Sequence, residues 1–233
     1  MQLCYLRVLL LLLFNYCLFI QSQRKELYQN FRHQVDTVND KVIALTFDDG
    51  PHEILTPRLL DVLKKYNVSC TFYVMGIKVK MHPEIIKRAV DEGHEIGNHG
   101  WDHPVMSKIS RELLHDQINT TNVVINKAIN MNPATMRPPY GKTNGGMNRF
   151  LAINENLPVI LWSLDIIDWK FPSTDEIVTR ITKYVQPGDI ILAHDIFKNT
   201  IASMPKLIEA ALNLGYRFST VSNLIRKDLK SSS

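Results

Sequence analysis

The feature that most constrains the fold of this chain is a repeated alternation, from residue 41 onwards, of short apolar runs with longer amphipathic stretches. Short apolar runs are typical of buried strands, and amphipathic stretches are typical of helices that cover a sheet. Strands are predicted over 42–47, 70–75, 95–98, 135–137, 159–164, 190–193 and 217–220. Helices are predicted over 56–66, 83–92, 110–130, 147–155, 174–185 and 203–214.

A regular strand-helix alternation favours a parallel sheet, because two parallel strands need a long crossover between them. Residues 41–225 contain no linker rich in Pro, Gly or Ser and no internal repeat, which indicates one domain. The predicted fold is therefore α/β: a single distorted (β/α) barrel of about seven parallel strands with surrounding helices. A doubly wound open sheet is the alternative, because the alternation does not say whether a sheet closes.

The chain ends differ in composition from this body. Residues 1–22 contain one charged residue, Arg7, followed by an apolar run over 8–20 that is too short for a stable bilayer span, which needs about 20 residues. We interpret 1–22 as a signal peptide, 23–40 as an N-terminal segment, 41–226 as the folded domain and 227–233 as a polar tail. This division predicts a secreted, extracellular protein without a stable membrane span after cleavage; an uncleaved signal anchor is the alternative.

The net charge is small. The formal value of +4, from 27 Lys and Arg against 23 Asp and Glu, does not favour nucleic acid as a partner.

Polar side chains follow five of the predicted strands where each strand ends. The C-terminal strand ends of a parallel barrel meet on one face, and that face carries the functional side chains. The segments are TFDDGP at 46–51, NHGWDH at 98–103, RPPYG at 137–141, DIIDW at 165–169 and LAHD at 192–195. The sequence therefore predicts one functional site built from all five segments.

The residues His99 and His103 are candidate metal ligands. Two imidazoles four positions apart fall on one side of a helical turn, so both can reach one cation. A carboxylate from another strand end, Asp48 or Asp49, would complete a three-ligand site with a position left for water, as in catalytic metal sites. Taken separately, the two features can also be a capped surface turn and an exposed acidic loop. Burial of both adjacent carboxylates requires a compensating cation, which favours the metal site.

These five segments, in this order, resemble the motif set of the polysaccharide deacetylases, carbohydrate esterase family four. The resemblance covers most of 41–225, and RPPYGKTN and LAHDIFKNT look closest to eukaryotic chitin deacetylases. It implies that Asp48 is the catalytic base and that Asp49, His99 and His103 are the metal ligands. The implied cation is Zn²⁺, with Co²⁺ or another divalent cation as alternatives. Arg137 would hold Asp48 in place.

The resemblance also implies the remaining roles. His194 would be the general acid, oriented by Asp165, with Asp168 as a competitor for that role. Substrate would be bound by Tyr140, through its backbone N–H at the oxyanion, and by Trp169 and Leu192, which would wall the acetyl pocket.

The implied activity is metal-dependent hydrolysis of N-acetyl groups from N-acetylglucosamine residues of a cell-wall polysaccharide, most closely chitin. Peptidoglycan is the alternative substrate. The family usually carries Ser or Thr immediately after the first metal-binding His, whereas this chain has Gly100. That departure leaves open a carbohydrate-binding wall protein with weakened turnover. A metal phosphoesterase is disfavoured, because phosphate sites usually recruit more basic residues or a Gly-rich loop.

Overall fold

A computed structural model describes residues 31–32, 40–151, 155 and 157–231, with side chains for 40–151, 155 and 157–226. The predicted signal peptide, most of segment 23–40 and the side chains of the polar tail lie outside the described residues. Their assignment stays a prediction. Among the helices of the described part, none combines the length and apolar character needed to cross a bilayer.

The described residues form eight strands and eight α-helices. The strands are β1 (Phe31–Arg32), β2 (Val42–Asp48), β3 (Thr71–Val74), β4 (Glu95–Asn98), β5 (Val159–Ile160), β6 (Leu164–Asp165), β7 (Ile190–His194) and β8 (Arg217–Phe218). The helices are α1 (Leu55–Lys65), α2 (Gly76–Met81), α3 (Pro83–Asp91), α4 (Arg111–Ile129), α5 (Gly145–Phe150), α6 (Thr174–Tyr184), α7 (Lys198–Asn213) and α8 (Val221–Ser231). Short 3₁₀ turns cover Met106–Lys108, Pro139–Gly141 and Asp168–Lys170.

All strand pairings are parallel, and they close a ring. The order β4-β3-β2-β7-β6 forms the main sheet, with β8 beside the start of β2 and β1 beside β5. Met136 forms single bridges to Asn98 at the end of β4 and to Val159 in β5. Strands β5 and β6 follow each other along the chain, so their segment joins the two edges of the main sheet. β5 reaches β4 through Met136, and β6 pairs with β7. The predicted distorted α/β barrel is confirmed.

Two predicted strands are reduced in the structure, and this is where the barrel is distorted. Segment 135–137 contributes only the Met136 bridges, and segment 159–164 splits into β5 and β6. The backbone between β5 and β6 is bound elsewhere: the carbonyl of Leu161 accepts a hydrogen bond from the Arg137 side chain. A buried guanidinium thus takes acceptors that would otherwise pair with a strand.

Helix boundaries show where local patterns were insufficient. Helix α7 starts at Lys198, five residues before the predicted start, and continues through Pro205 because its apolar face is buried on both sides of that residue. Predicted helix 147–155 starts earlier, at Gly145, and its α-helical part ends at Phe150. Helix α2 was not predicted, because six residues are too few for a 3.6-residue period to be visible.

The central strand β2 explains how the site is positioned. All seven of its residues are buried, as expected of a parallel strand covered on both faces. Ile43, Leu45 and Phe47 pack in the cluster shared with the outer helices, whereas Val42 and Ala44 pack in a separate interior cluster. Side chains alternate along a strand, so Asp48 follows Val42 and Ala44 on the interior face. It therefore lies at the C-terminal mouth of the barrel.

Candidate metal and catalytic site

Asp49, His99 and His103 come together at the mouth of the barrel. Asp49 Oδ1 lies 3.3 Å from His99 Nε2 and 3.1 Å from His103 Nε2. One donor atom from each residue falls within 4.8 Å of the other two, which suits a single metal ion. Of the two carboxylates that the sequence left open, Asp49 faces both imidazoles at this range, whereas Asp48 Oδ2 is 3.9 Å from His99 Nε2.

The protonation of His99 supports a cation at this position. His99 Nδ1 lies 2.7 Å from the Arg137 carbonyl, which can only accept, so Nδ1 carries the proton. In the neutral imidazole, Nε2 then presents a lone pair toward Asp49 Oδ1. That buried oxygen has no hydrogen-bond partner. Two acceptors that face each other repel unless a cation lies between them, so these residues fit a metal ion.

Asp49 lies in a positive environment. Burial by itself would raise the pKa of the carboxyl, but without a metal the positive charge of protonated His103 and His99 imidazoles outweighs burial and holds the pKa well below its ordinary value. A cation bound between neutral imidazoles and Asp49 would favour the ionised carboxylate in the same way. Asp49 is therefore an ionised carboxylate at neutral pH. Asp49 and His103 also have backbone φ of 73° and 67°, in the left-handed region that costs non-glycine residues about 1 kcal/mol or more. The fold holds both ligands in this strained conformation.

A buried carboxylate supports the turn that carries Asp49. Thr56 Oγ1 accepts a hydrogen bond from the His52 backbone N–H and donates to Asp195 Oδ2. Gly50 has no room for a side chain, because an added Cβ would lie 2.1 Å from Asp195 Oδ2. Burial raises the pKa of Asp195 to about 7. The structure thus places Asp195 beside the turn that carries Asp49.

Asp48 is held by Arg137, as its predicted role requires. Arg137 is 0% exposed, and its Nη1 donates to Asp48 Oδ1 at 2.7 Å. The same guanidinium donates to Thr46 Oγ1 and to the carbonyls of Ile160 and Leu161. Its charge also lies 4.2 Å from the centre of the Tyr73 ring. A charge buried to this degree needs a full set of partners, and Arg137 has them.

His194 is oriented by Asp168, not by Asp165, so the prediction for Asp165 needs correction. His194 Nδ1 donates to Asp168 Oδ1 at 2.8 Å, and the His194 backbone N–H donates to Asp168 Oδ2 at 2.7 Å. Thr200 donates to the same Oδ2. Asp165 instead accepts hydrogen bonds from the Ile167 backbone N–H and from Trp169 Nε1.

The physical reason is the geometry of segment 165–169. Ile167 adopts φ 58°, which turns the chain and brings Asp168 under the end of β7. Burial by itself would lower the pKa of His194, but the Asp168 carboxylate raises it to about 9. The imidazole is therefore protonated at neutral pH. Spacing alone could not separate two aspartates three positions apart in a loop.

One cavity of about 420 Å³ joins these groups. The metal-site residues, Asp48 and His194 line it, and its walls come from residues of four segments: Tyr140, Trp162, Asp165, Trp169, Leu192 and Phe197. The predicted substrate-binding residues all lie there. Trp162 and Phe197, which were not predicted for the site, also line this cavity. The ring centroids of His194, at the end of β7, and Phe197, directly before α7, lie 5.6 Å apart, a contact that only the folded chain shows.

The arrangement brings a carboxylate and a protonated imidazole beside a set of three possible metal donors. Asp48 and His194 both line the cavity, and each is fixed by its own buried partner, Arg137 and Asp168 respectively. Such a set can remove a proton from an attacking water and deliver one to a leaving group.

Comparison with known proteins gives concordant matches. The family model described as polysaccharide deacetylase matches residues 35–157, more than half of the chain. Peptidoglycan-N-acetylglucosamine deacetylase PgdA of Listeria monocytogenes is 39% identical over 191 residues, covering 82% of this chain and 40% of the relative. Chitooligosaccharide deacetylase of Bradyrhizobium sp. is 38% identical over 165 residues, covering 70% of this chain and 75% of the relative. This chain thus spans less than half the length of the Listeria protein.

A solved structure agrees with the fold. The crystal structure of the Bc1960 peptidoglycan N-acetylglucosamine deacetylase superposes with a TM-score of 0.79 at 32% identity, covering 84% of this chain and 92% of that one.

Proposed function

The chain belongs to the polysaccharide deacetylase family, and on that premise we propose that it hydrolyses N-acetyl groups of N-acetylglucosamine residues in peptidoglycan. The observation that carries the proposal is the convergence of the Asp49, His99 and His103 site with Asp48 and His194 on one cavity. The sequence favoured chitin, with peptidoglycan as the alternative. Several relatives are named as peptidoglycan deacetylases, which favours peptidoglycan as the substrate. Other relatives are named as chitooligosaccharide deacetylases, so short chitin oligomers are the second substrate to test.

Amide hydrolysis needs an activated water, a stabilised oxyanion and a proton for the departing amine. Asp49, His99 and His103 would hold a divalent metal, and the metal would supply the Lewis acidity that polarises a carbonyl and lowers the pKa of water. We propose Zn²⁺ as the ion, since a set of two imidazoles and one carboxylate suits zinc, with Co²⁺ as a substitute.

Asp48 is suited to the role of general base. Arg137 holds Asp48 Oδ1, which fixes the carboxylate and compensates its charge, while the residue still lines the cavity. In this position Asp48 removes the proton from the attacking water. Replacement of Asp48 by Asn keeps the shape and removes the basicity.

His194 is suited to the role of general acid. Asp168 keeps the imidazole protonated, and its hydrogen bond at Nδ1 leaves Nε2 to donate toward the leaving nitrogen. The carboxylate of Asp168 accepts further hydrogen bonds from Thr200 and the His194 backbone, so its orientation is fixed before substrate binds.

The cavity walls suit an acetyl group on a sugar. Leu192 gives an apolar wall, and Tyr140, which has φ 60°, lines the cavity with its ring centroid 4.5 Å from that of His103. We propose the Tyr140 N–H as a donor to the oxyanion, a contact worth about 3 kcal/mol of barrier in other hydrolases. Trp169 and Phe171 are 46% and 69% exposed at the rim, where flat apolar rings can lie against sugar faces.

We also propose that the protein acts outside the cell, because its proposed polymer is there and residues 1–22 have the layout of a signal peptide. Fractionation of cells that express the full chain tests this, with protein retained in the cytoplasm as the contrary result.

The proposed activity is tested by acetate release from peptidoglycan and from chitin oligomers after loading with Zn²⁺. We expect release from peptidoglycan that disappears in Asp48→Asn, while that variant still binds zinc. Zinc-loaded protein that releases no acetate from either polymer contradicts the proposal. Release from chitin oligomers alone returns the assignment to chitin.

A further inference from the structure

The loop between His99 and His103 has a backbone that excludes a side chain at its second position. Gly100 has φ +80°, a conformation that residues with a Cβ rarely adopt. An added Cβ would also lie 2.3 Å from Met106 Cε. A Ser or Thr at position 100 would therefore be strained, and it would require the Met106 side chain to shift. In this chain other groups bind the loop between the two imidazoles.

The side chain of Gln117 makes that connection. Its Oε1 accepts from the Trp101 backbone N–H at 2.7 Å and from the Asp102 N–H at 3.4 Å. Its Nε2 donates to Asp102 Oδ1 at 2.8 Å. One amide thus binds two consecutive loop residues through both of its ends, midway between the two histidines.

Gln117 is itself on a rigid support. It lies in helix α4, which runs for 19 residues, is capped by Ser110 and buries Leu114 and Ile118 on either side of position 117. The loop backbone is also bound from the other side, where the N–H groups of Gly76 and Ile77 donate to the carbonyls of residues 100 and 101. The loop is therefore held between α2 and α4. Gln117 binds residues 101 and 102 from α4, and Asn98 Oδ1 accepts from the Gly100 N–H at 2.7 Å.

We propose that Gln117 is a positioning residue for the metal site, which holds the loop so that His99 and His103 both reach Asp49. The inference rests on the metal site of the proposed function. It adds Gln117 as a residue that sets the metal affinity of this site without binding the metal itself. Groups that orient metal ligands typically change metal affinity by 10–100-fold when they are removed.

The test uses Gln117→Met, which keeps side-chain length and helix propensity but removes all three hydrogen bonds. The matched control is Thr120→Met, an exposed position on the same helix. Metal-free full-length protein is titrated with Zn²⁺ by calorimetry, and the visible spectrum of the Co²⁺-loaded protein reports the ligand geometry. We expect Gln117→Met to bind zinc about 10–100-fold more weakly with an altered cobalt spectrum, and Thr120→Met to match the wild type.

Unchanged zinc affinity and cobalt spectrum in Gln117→Met overturn the inference. The inference is also overturned if zinc binding is weaker, the cobalt spectrum is unaltered and the metal-free variant has lost thermal stability. In that case the substitution has destabilised the whole fold and has not changed the geometry of the metal site. If Gln117→Met does not fold, Gln117→Glu replaces it. Glu keeps the oxygen that accepts from the loop N–H groups but loses the donor to Asp102, so its zinc affinity should lie between those of the wild type and a full loss. Wild-type zinc affinity in Gln117→Glu contradicts the role of the Asp102 contact. Failure of the wild type to bind zinc would instead count against the proposed function.

Discussion

The charge of Asp168 controls the protonation of His194, and Asp168→Asn tests this effect. The amide oxygen of Asn can still accept from Nδ1 but no longer favours the imidazolium, and its NH2 group replaces the oxygen that accepts from Thr200 and the His194 N–H. The rise in the pKa of His194 from 6.5 to about 9 corresponds to about 3 kcal/mol, at 1.36 kcal/mol per pH unit. Without the Asp168 charge, the pKa should fall back toward 6.5, and at a pKa of 6.5 only about one tenth of the imidazole is protonated at pH 7.5.

The assay is acetate release from peptidoglycan across pH 5.5 to 10, for wild type, Asp168→Asn and the control Asp165→Asn. The alkaline limb of kcat should move to lower pH by up to about two units in Asp168→Asn, with a loss of up to about tenfold at pH 7.5 and a smaller loss at pH 6. A bound metal adds positive charge and lowers the pKa of His194 in every variant, so the difference between variants is the measured quantity.

The same shift predicts a stability effect whose sign is fixed by linkage. The folded-state pKa of His194 is raised, so its stabilisation is fully present below pH 6.5 and is lost as the pH rises through about 9. Denaturant unfolding of the wild type should show this decline, and Asp168→Asn should not. An alkaline limb that stays in place in Asp168→Asn, or one that moves in Asp165→Asn instead, would refute this assignment of the orienting carboxylate.

Three further predictions concern other parts of the site. Arg137→Met leaves Asp48 as an unpaired buried charge and should lower the free energy of unfolding by about 3–5 kcal/mol at pH 7, measured in urea; a loss below about 1 kcal/mol contradicts the pairing. Zinc at 100 times its Kd should stabilise the wild type by about 2.7 kcal/mol, seen as a higher Tm, and Asp49→Asn should abolish that gain; equal Tm shifts in both proteins count against Asp49 as a ligand. Phe171→Ala should raise KM about fivefold for polymer with kcat unchanged, from about 1 kcal/mol of lost apolar contact, whereas an unchanged KM removes the rim from substrate binding.

Much of the fold and the composition of the site could be predicted from the sequence, for physical reasons. Buried parallel strands are continuous apolar runs, so β2 and β7 were visible, and their polar ends identified Asp48, Asp49 and His194 as neighbours. The four-residue spacing of His99 and His103 indicated a metal site on the assumption of a helical turn. The structure instead brings the two imidazoles together through a loop, with φ of 80° at Gly100 and 67° at His103.

Tertiary structure decided what depends on backbone turns and on residues far apart in the chain. The left-handed conformation of Ile167 determined that Asp168 contacts His194. The distance of each carboxylate from the imidazoles assigned the metal ligand to Asp49 and left Asp48 to Arg137. Strand pattern and residue spacing are properties of neighbours along the chain, so the sequence alone determined them. Which of two nearby carboxylates faces a given imidazole depends on how loops from separate strands pack, and only the folded chain determines that.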